Sequence, residues 1–238
     1  TLPIRFKGVP GGHEFTTPIL AVLNADGKGK RPDPAVQNRI RALNGPIRLT
    51  SYVSQSCVNC PEVVQALNQM ALIHPEFEHT LVEGTHFQDE IARRNIQGVP
   101  AVFAGDALLH VGKADLAQLL DKLEAHYGSQ AVQASEVRQY DVTIVGGGPA
   151  GVAAAIYTAR KGLKTAIVAE RIGGQVNETK GIENLISVPY TEGPQLAADL
   201  FKHLGAYPVD VLEHRRVETI ARSGRIHLAL KGGEQIST

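Results

Sequence analysis

The sequence predicts an α/β protein built of two consecutive units, and two stretches of the chain support this prediction. In the first, a β-branched stretch at 47–54 precedes Cys57 and Cys60, the only two cysteines among 238 residues, and an apolar helical stripe follows them. In the second, an apolar strand at 141–145 leads directly into the glycine-rich loop 146–151 and an alanine-rich stretch. Strands that alternate with helices in this way are typical of α/β folds.

The composition of the chain excludes several classes of protein. The 24 basic residues balance the 24 acidic ones, so neither a nucleic-acid nor another polyanionic partner is indicated. No apolar run approaches the roughly 18 residues that a membrane span needs, and no signal-peptide pattern follows Thr1. A single Cys-x-x-Cys motif with no other cysteine is typical of a redox site in a reducing compartment, which favours a cytoplasmic location.

The stretch 1–46 contains too few elements to bury a core alone. A short strand is predicted at 2–6 and a short helix at 17–23. Asp33 is predicted to cap a second helix, with Pro34 at its first position. We expect this stretch to depend either on its neighbour or on residues upstream of it.

The cysteine pair is placed where a helix can activate a thiol. A strand precedes it, and the residues from Pro61 to Ile73 carry an apolar helical stripe. The unpaired N–H groups and the dipole at a helix N-terminus stabilise a thiolate, and cysteines in such places have pKa values of about 3.5–7.5. Cys57, outside the first turn, is the candidate attacking thiolate, and Cys60, inside it, would resolve the mixed disulfide.

A metal site and a structural crosslink are weaker interpretations of the pair. A zinc site needs two further ligands, and the nearest following histidines, His74 and His79, fall at a helix end and in a strand, so no metal is predicted. A purely structural disulfide would close too short a loop to constrain the unfolded chain. We interpret His79, Glu83 and His86 as surface or turn residues that could tune the thiolates only if they fold nearby.

The rest of this unit alternates strands and helices. A strand is predicted at 77–83, followed by a helix that begins with a capping box from Thr85 to Gln88. Two further strands are predicted at 98–104 and 107–111. A closing helix carries the leucines between 116 and 123.

This order of elements, with the cysteine pair at the first strand-to-helix junction, resembles the thioredoxin family. Residues 57–60 and the later stretch Gly98-Val99-Pro100 are similar to that family's active site and its proline turn. The resemblance implies that Pro100 faces the disulfide and helps to hold a partner's backbone. It also implies a cis bond between Val99 and Pro100. The alternative for Pro100 is an ordinary proline that opens a strand.

The second unit begins after a stretch of small and polar residues at 128–140, which we interpret as a linker. Residues 146–151 match G-x-G-x-x-G between a strand and a helix, and Glu170 ends the next strand, 19 residues after Gly151. This is the dinucleotide-binding pattern, in which the glycines allow a tight turn and close approach to a pyrophosphate. Glu170 would accept hydrogen bonds from the adenosine ribose. The pattern does not distinguish FAD from NAD.

Two later stretches carry a further resemblance. Gly173-Gly174-Gln175 and the segment 182–193 are similar to the FAD domain of the low-molecular-weight thioredoxin reductases. Together with the thioredoxin-like unit and Gly12-His13-Glu14-Phe15, they resemble the peroxiredoxin-reducing flavoproteins of alkyl hydroperoxide reductase systems. The resemblance implies a thioredoxin-like N-terminal region followed by a partial Rossmann-like (βαβ) FAD-binding domain. The implied FAD-binding residues are Val145, Gly146, Gly147, Gly148, Pro149, Ala150, Gly151, Glu170, Arg171, Gly174, Gln175 and Asn184.

The same resemblance implies the domain plan and the function. Residues 1–46 would be the remnant of a first, cysteine-free thioredoxin-like fold, 47–127 the redox domain and 141–238 part of the FAD domain, so the chain is expected to be truncated at both ends. NADH would bind in a domain outside this chain. Electrons would pass through FAD and a second dithiol to Cys57–Cys60 and then to a peroxiredoxin, the C subunit of the system, in the defence against peroxides.

The full-length protein is expected to be a homodimer, with no nucleic-acid or membrane partner. Two alternative functions stay open. One is a thioredoxin reductase with a fused thioredoxin-like domain, and the other is a fragment that docks a partner without thiol exchange.

Overall fold

The fold is known from a computed structural model that describes residues 3–130 and 137–238. The chain divides into two compact units, residues 1–132 and 133–238. Of the predicted linker 128–140, residues 131–136 lie outside the described residues. Ser129 is paired with Leu43 in the first unit, and residues 138–139 form a strand of the second unit.

The first unit is a five-stranded sheet with helices. Its strands are β1 (Ile4–Lys7), β2 (Ile47–Val53), β3 (Phe77–Glu83), β4 (Ala101–Ala104) and β5 (Ala107–Val111). Its helices are α1 (Thr16–Ala25), α2 (Pro34–Arg41), α3 (Cys60–Ile73), α4 (Gln88–Arg93) and α5 (Leu116–Tyr127). The strand order is β1-β3-β2-β4-β5, with β3 parallel to β1 and β2, and β4 antiparallel to β2 and β5. The predicted thioredoxin-like α/β architecture is confirmed.

Residues 3–46 share this sheet and its core. Strand β1 pairs with β3, and Ile40 of α2 is fully buried in the same cluster as Leu120 of α5. The buried guanidinium of Arg39 lies 3.0 Å from the Asp121 carboxylate and 2.8 Å from that of Glu124. The stretch therefore packs onto the redox unit, and its origin as the remnant of a separate fold stays a prediction.

Buried side chains of α3 pack against the sheet and α5, and these contacts set the position of the cysteine pair at the start of the helix. Leu67 and Met70 are fully buried against α5 in the main core. Closer to the start of the helix, Val64 and Cys60 pack with Leu81 of β3 in a second cluster. Full burial of such a side chain contributes about 1.5–3 kcal/mol each, so the start of α3 is held firmly against the sheet.

The predicted capping box from Thr85 to Gln88 is wrong. Residues 84–86 form a 3₁₀ turn, α4 begins at Gln88 with Phe87 at the N-cap, and no side chain caps it. A capping box needs its Ser or Thr at the N-cap position. Phe87 occupies that position, and Thr85 lies outside the helix. A capping box is present instead at the start of α5, between Asp115 and Gln118.

The second unit contains two sheets. Its strands are β6 (Arg138–Gln139), β7 (Val142–Val145), β8 (Thr165–Val168), β9 (Val209–Leu212), β10 (Val217–Ser223), β11 (Arg225–Leu230) and β12 (Gln235–Ser237). Its helices are α6 (Pro149–Arg160) and α7 (Gly193–Leu204). Strands β7, β8 and β9 are parallel, in that order, and the second sheet has the order β10-β11-β12-β6. The predicted Rossmann-like βαβ unit is confirmed in β7, α6 and β8.

Strand β7 is less buried than the sequence predicts. Its apolar run is typical of a strand covered on both sides, yet residues 142–144 are only half-buried and Val145 is 53% exposed. The reason is its position, because β7 lies at one edge of the three-stranded sheet and is paired only with β8.

Among the helices of the described residues, none has the length and apolar character that a membrane crossing requires.

Candidate active site

The two cysteines lie at the start of α3 and form a disulfide. Their Cα atoms are 5.5 Å apart. Cys60 is the first residue of the helix and is fully buried, whereas Cys57 is half-buried and the intervening Val58 is 68% exposed. No side chain caps the helix at Asn59, so its first N–H groups face the cysteine loop without a side-chain acceptor. This is the arrangement that stabilises a thiolate when the disulfide opens.

The third predicted residue of this site, Pro100, lies beside the disulfide. The Val99–Pro100 bond is cis, as the family resemblance implies. The Sγ atom of Cys57 lies 3.7 Å from the carbonyl oxygen of Val99. The structure therefore brings Cys57, Cys60 and the proline turn together from two distant parts of the chain.

An open groove of about 270 Å³ lies at the proline turn, and one of its lining residues is Val99, whose carbonyl oxygen is near Cys57. It is lined by Val53 and Ser54 at the end of β2, by Gly84 and Thr85 after β3, and by Val99. The remaining lining residues are Gln88, Ile91, Ile96, Gln97 and Gly98. Such an open groove can take an extended segment of another protein.

A buried acid in the turn before α1 was not among the predicted residues. Glu14 is fully buried in a 3₁₀ turn, and its carboxyl oxygen Oε2 accepts a hydrogen bond of 2.6 Å from the Thr17 hydroxyl. Burial raises the pKa of this carboxyl above its ordinary value. The turn is tied to the cysteine loop, because the His13 N–H donates to the Gln55 carbonyl. Nothing in the spacing of the sequence links Glu14 to the cysteines.

The interpretation of His79 and Glu83 as surface or turn residues is wrong. Both are fully buried, and only His86 is exposed. The imidazole of His79 lies 2.7 Å from the Ser51 hydroxyl on one side and 2.7 Å from the Asn68 side-chain oxygen on the other. Burial lowers the pKa of His79 to about 3, so the ring is neutral at ordinary pH.

The glycine loop of the second unit has the features of a phosphate cradle. Gly146 adopts φ +110°, which side chains rarely allow. A Cβ on Gly151 would overlap the carbonyl oxygen of Gly146, whereas one on Gly148 would meet nothing within 4 Å. Helix α6 begins at Pro149, and no side chain caps it at Gly148. Open space in front of an uncapped helix N-terminus suits a pyrophosphate.

The loop 170–175 closes against this cradle. The N–H of Gly173 donates to the carbonyl oxygen of Gly147 over 2.8 Å, and an added Cβ on Gly174 would lie 3.5 Å from Gly148. Arg171 turns back onto its own loop, with Nη2 2.7 Å from the Glu178 carboxylate. Among the residues predicted to bind FAD, Asn184 lies apart, on an exposed loop bounded by an Ile182–Thr191 bridge.

The residues present fit an adenine dinucleotide. Glu170 follows the carboxyl end of β8, next to the glycine loop that follows β7, and this edge of a parallel sheet is where such ligands bind. Within the described parts of the chain, no group of three or more His, Cys, Asp or Glu side chains could hold a metal ion.

Comparison with known proteins assigns a different family to each of the two units. A family model described as "FAD dependent oxidoreductase" matches residues 141–220, and one described as "Thioredoxin domain" matches residues 49–124. The fold and the two sites thus define a thioredoxin-like redox domain joined to an FAD-dependent oxidoreductase domain.

The resemblance extends over almost the whole chain to the F subunit of alkyl hydroperoxide reductase, which confirms the relationship indicated by the sequence. The chain is 43% identical to the Pseudomonas putida protein of that name over 99% of its length, covering 46% of the relative. It is 41% identical to a Bacillus subtilis protein named NADH dehydrogenase over 97% of its length, covering 45% of that protein. The chain therefore spans less than half the length of these curated relatives.

A solved structure is also similar in part. The NTD_N/C domain of alkylhydroperoxide reductase from Enterococcus faecalis matches with 30% identity and a TM-score of 0.48, over 51% of this chain and 58% of that one.

Proposed function

We propose that this chain is part of an NAD(P)H-dependent flavoprotein disulfide reductase and passes electrons through Cys57 and Cys60 to a peroxiredoxin. The observation that carries the proposal is that one chain holds a disulfide at a helix N-terminus and a glycine-rich loop before a second, uncapped helix. The names of the relatives, a hydroperoxide reductase and an NADH dehydrogenase, support peroxide defence and the use of NADH.

The exchange step uses the unequal exposure of the two sulfurs. In the reduced state, the more accessible Cys57 thiolate attacks one sulfur of the partner's disulfide, forming a mixed disulfide and releasing the partner's other sulfur as a thiolate. The buried Cys60 then attacks the Cys57 sulfur and releases the partner as a dithiol. Two electrons pass to the partner, which takes up two protons, and the Cys57–Cys60 disulfide is left for reduction by another dithiol.

The proline turn would assist this step. Pro100, which follows the Val99 carbonyl that lies near Cys57, would hold the partner's backbone.

The second unit would hold FAD. The glycine loop 146–151 and the N-terminus of α6 would bind the pyrophosphate, Glu170 the ribose, and the 171–175 loop would cover one side. FAD supplies two-electron transfer between a nicotinamide and a dithiol. The proposed partner is the peroxiredoxin of an alkyl hydroperoxide reductase system, its C subunit. The proposed setting is a homodimer of the longer protein in the cytoplasm, without nucleic acid or membrane.

A trapping experiment tests the proposal. The chain is reduced, freed of reductant, and mixed with a 2-Cys peroxiredoxin in its disulfide form, and thiols are counted on both proteins. We expect the chain to lose two thiols as its disulfide forms, and the peroxiredoxin to gain two thiols as its disulfide is reduced. Cys60→Ser should accumulate a mixed disulfide that reductant dissolves, and Cys57→Ser should not. Faster exchange with oxidised thioredoxin would favour a thioredoxin reductase, and binding without exchange would favour a docking fragment.

A further inference from the structure

An arginine lies against the carboxylate that is assigned to the ribose. The Nε atom of Arg216 is 2.9 Å from Oε1 of Glu170. The side chains are 65% and 41% exposed, so both are in contact with solvent. Arg216 belongs to none of the sequence motifs, and only the fold brings it to Glu170.

The backbone around Arg216 is firmly attached to the Glu170 loop. The segment 213–216 follows β9, which is parallel to β8, so both segments leave the same edge of the sheet. The N–H of His214 donates to the Glu170 carbonyl, and the N–H of Arg215 donates to the Ala169 carbonyl, both over 3.1 Å. The N–H of Ile172 donates to the Glu213 carboxylate over 2.9 Å.

The neighbouring arginine anchors the segment from the inside. The side chain of Arg215 is 1% exposed, and its Nε atom lies 2.7 Å from Oε2 of Glu234 while Nη2 lies 3.3 Å from Oε1. A bidentate pair of this kind fixes the orientation of both side chains. The chain direction at Arg216 is thus set by buried contacts, and its guanidinium needs no large movement to reach Glu170.

We propose that Arg216 is a positioning residue of the adenosine subsite. It holds one oxygen of the Glu170 carboxylate and leaves the other to accept the ribose hydroxyls, since each carboxylate oxygen has its own acceptor sites. An oriented carboxylate loses less conformational freedom when the ligand binds. The proposal rests on the flavin site of the proposed function and adds a residue that acts on the cofactor only through Glu170.

The test is FAD affinity, measured on the full chain by equilibrium titration of flavin fluorescence. The proteins are the unsubstituted chain, Arg216→Gln, Arg216→Lys, Glu170→Gln and the double variant, with Arg222→Gln as a matched control at an exposed arginine of β10. Circular dichroism confirms that each variant is folded. We expect Arg216→Gln to raise the Kd about two- to fivefold, the range for a solvent-exposed ion pair.

The pattern among the variants separates positioning from a general charge effect. Arg216→Lys should restore part of the affinity, Arg222→Gln should change nothing, and the double variant should bind no worse than Glu170→Gln alone. Equal affinity of Arg216→Gln and Arg222→Gln, tighter binding by Arg216→Gln, or additive losses would each overturn the proposal. No binding by the unsubstituted chain would overturn both this proposal and the flavin part of the proposed function.

Discussion

At the residue scale, His79 makes the first unit sensitive to acid. Its pKa in the folded protein is lowered to about 3 by burial, below the ordinary value of 6.5. The stability that depends on the neutral ring is therefore fully present above pH 6.5 and is lost as the pH falls toward 3. We expect His79→Gln to remove a difference on the order of a few kcal/mol between pH 7 and pH 4.

Urea unfolding at the two pH values measures this effect. Carboxyl groups also titrate in this range, so the informative quantity is the difference between the His79→Gln variant and the unsubstituted chain. His126→Gln, at an exposed histidine of α5, is the control. An acid sensitivity shared equally by all three proteins would show that His79 does not charge on unfolding.

The burial of His79 and Glu83 was partly open to prediction. Alternate residues of a strand face the same side, and Phe77 and Leu81 are apolar, so His79 and Glu83 share their face of β3. What could not be predicted is how the imidazole is satisfied. Its partners Ser51 and Asn68 lie 28 and 11 residues away, and only the packing of β2 and α3 brings them together.

At the scale of the element, two glycines of the loop 146–151 have different roles: Gly151 is needed for folding, and Gly148 is expected to matter for ligand binding. Gly151→Ala would place a Cβ on the Gly146 carbonyl oxygen, so we expect it to destabilise the second unit. Gly148 has φ −70° and open space around an added Cβ, so Gly148→Ala should leave the melting temperature nearly unchanged. It should still weaken FAD binding at least tenfold, because the methyl group occupies the space for the pyrophosphate.

Thermal unfolding and flavin titration on the same samples check both expectations. Stable Gly148→Ala protein with unchanged FAD affinity would contradict the assignment of the loop as a cradle. A fully stable Gly151→Ala variant would show that α6 can move away from β7.

The elements themselves could be predicted better than their ends. The strand–cysteine–helix and strand–glycine–helix orders were both found, because periodicity and breakers are local. The start of α4 was not, since Thr85 and Gln88 have the right spacing but the backbone at Phe87, φ −130° and ψ 43°, is not that of a helix. Cap geometry depends on the turn before the helix, which spacing alone does not reveal.

At the scale of the whole molecule, Arg39 tests whether residues 3–46 fold together with the redox domain. Removing one partner of a buried ion pair costs about 3–5 kcal/mol, and the partial exposure of Asp121 and Glu124 lowers this to about 2 kcal/mol. We expect Arg39→Met to destabilise the first unit, from β1 to α5, and to leave the second unit unchanged.

Hydrogen exchange resolved by peptide measures the two units separately. Arg41→Met, at an exposed arginine of the same helix, is the control and should change little. Faster exchange confined to residues 3–46 would mean that this stretch opens independently. A loss of protection in both units would contradict this expectation.

The two α/β folds were predictable because each motif brings its own strand and helix. The position of β7 at a sheet edge was not, because an apolar run does not indicate which strands pair with it. Likewise, the Arg216–Glu170 contact joins residues that are far apart in sequence and share no motif.

The cysteine pair makes the protein its own redox indicator. No other cysteine occurs in the sequence, so every thiol that a reagent detects belongs to this site. Because Cys60 is fully buried and Cys57 is not, a bulky maleimide dye should attach to Cys57 first. A single label placed there, or the two-hydrogen change in intact mass, would report whether the Cys57–Cys60 disulfide is open, without background from other thiols.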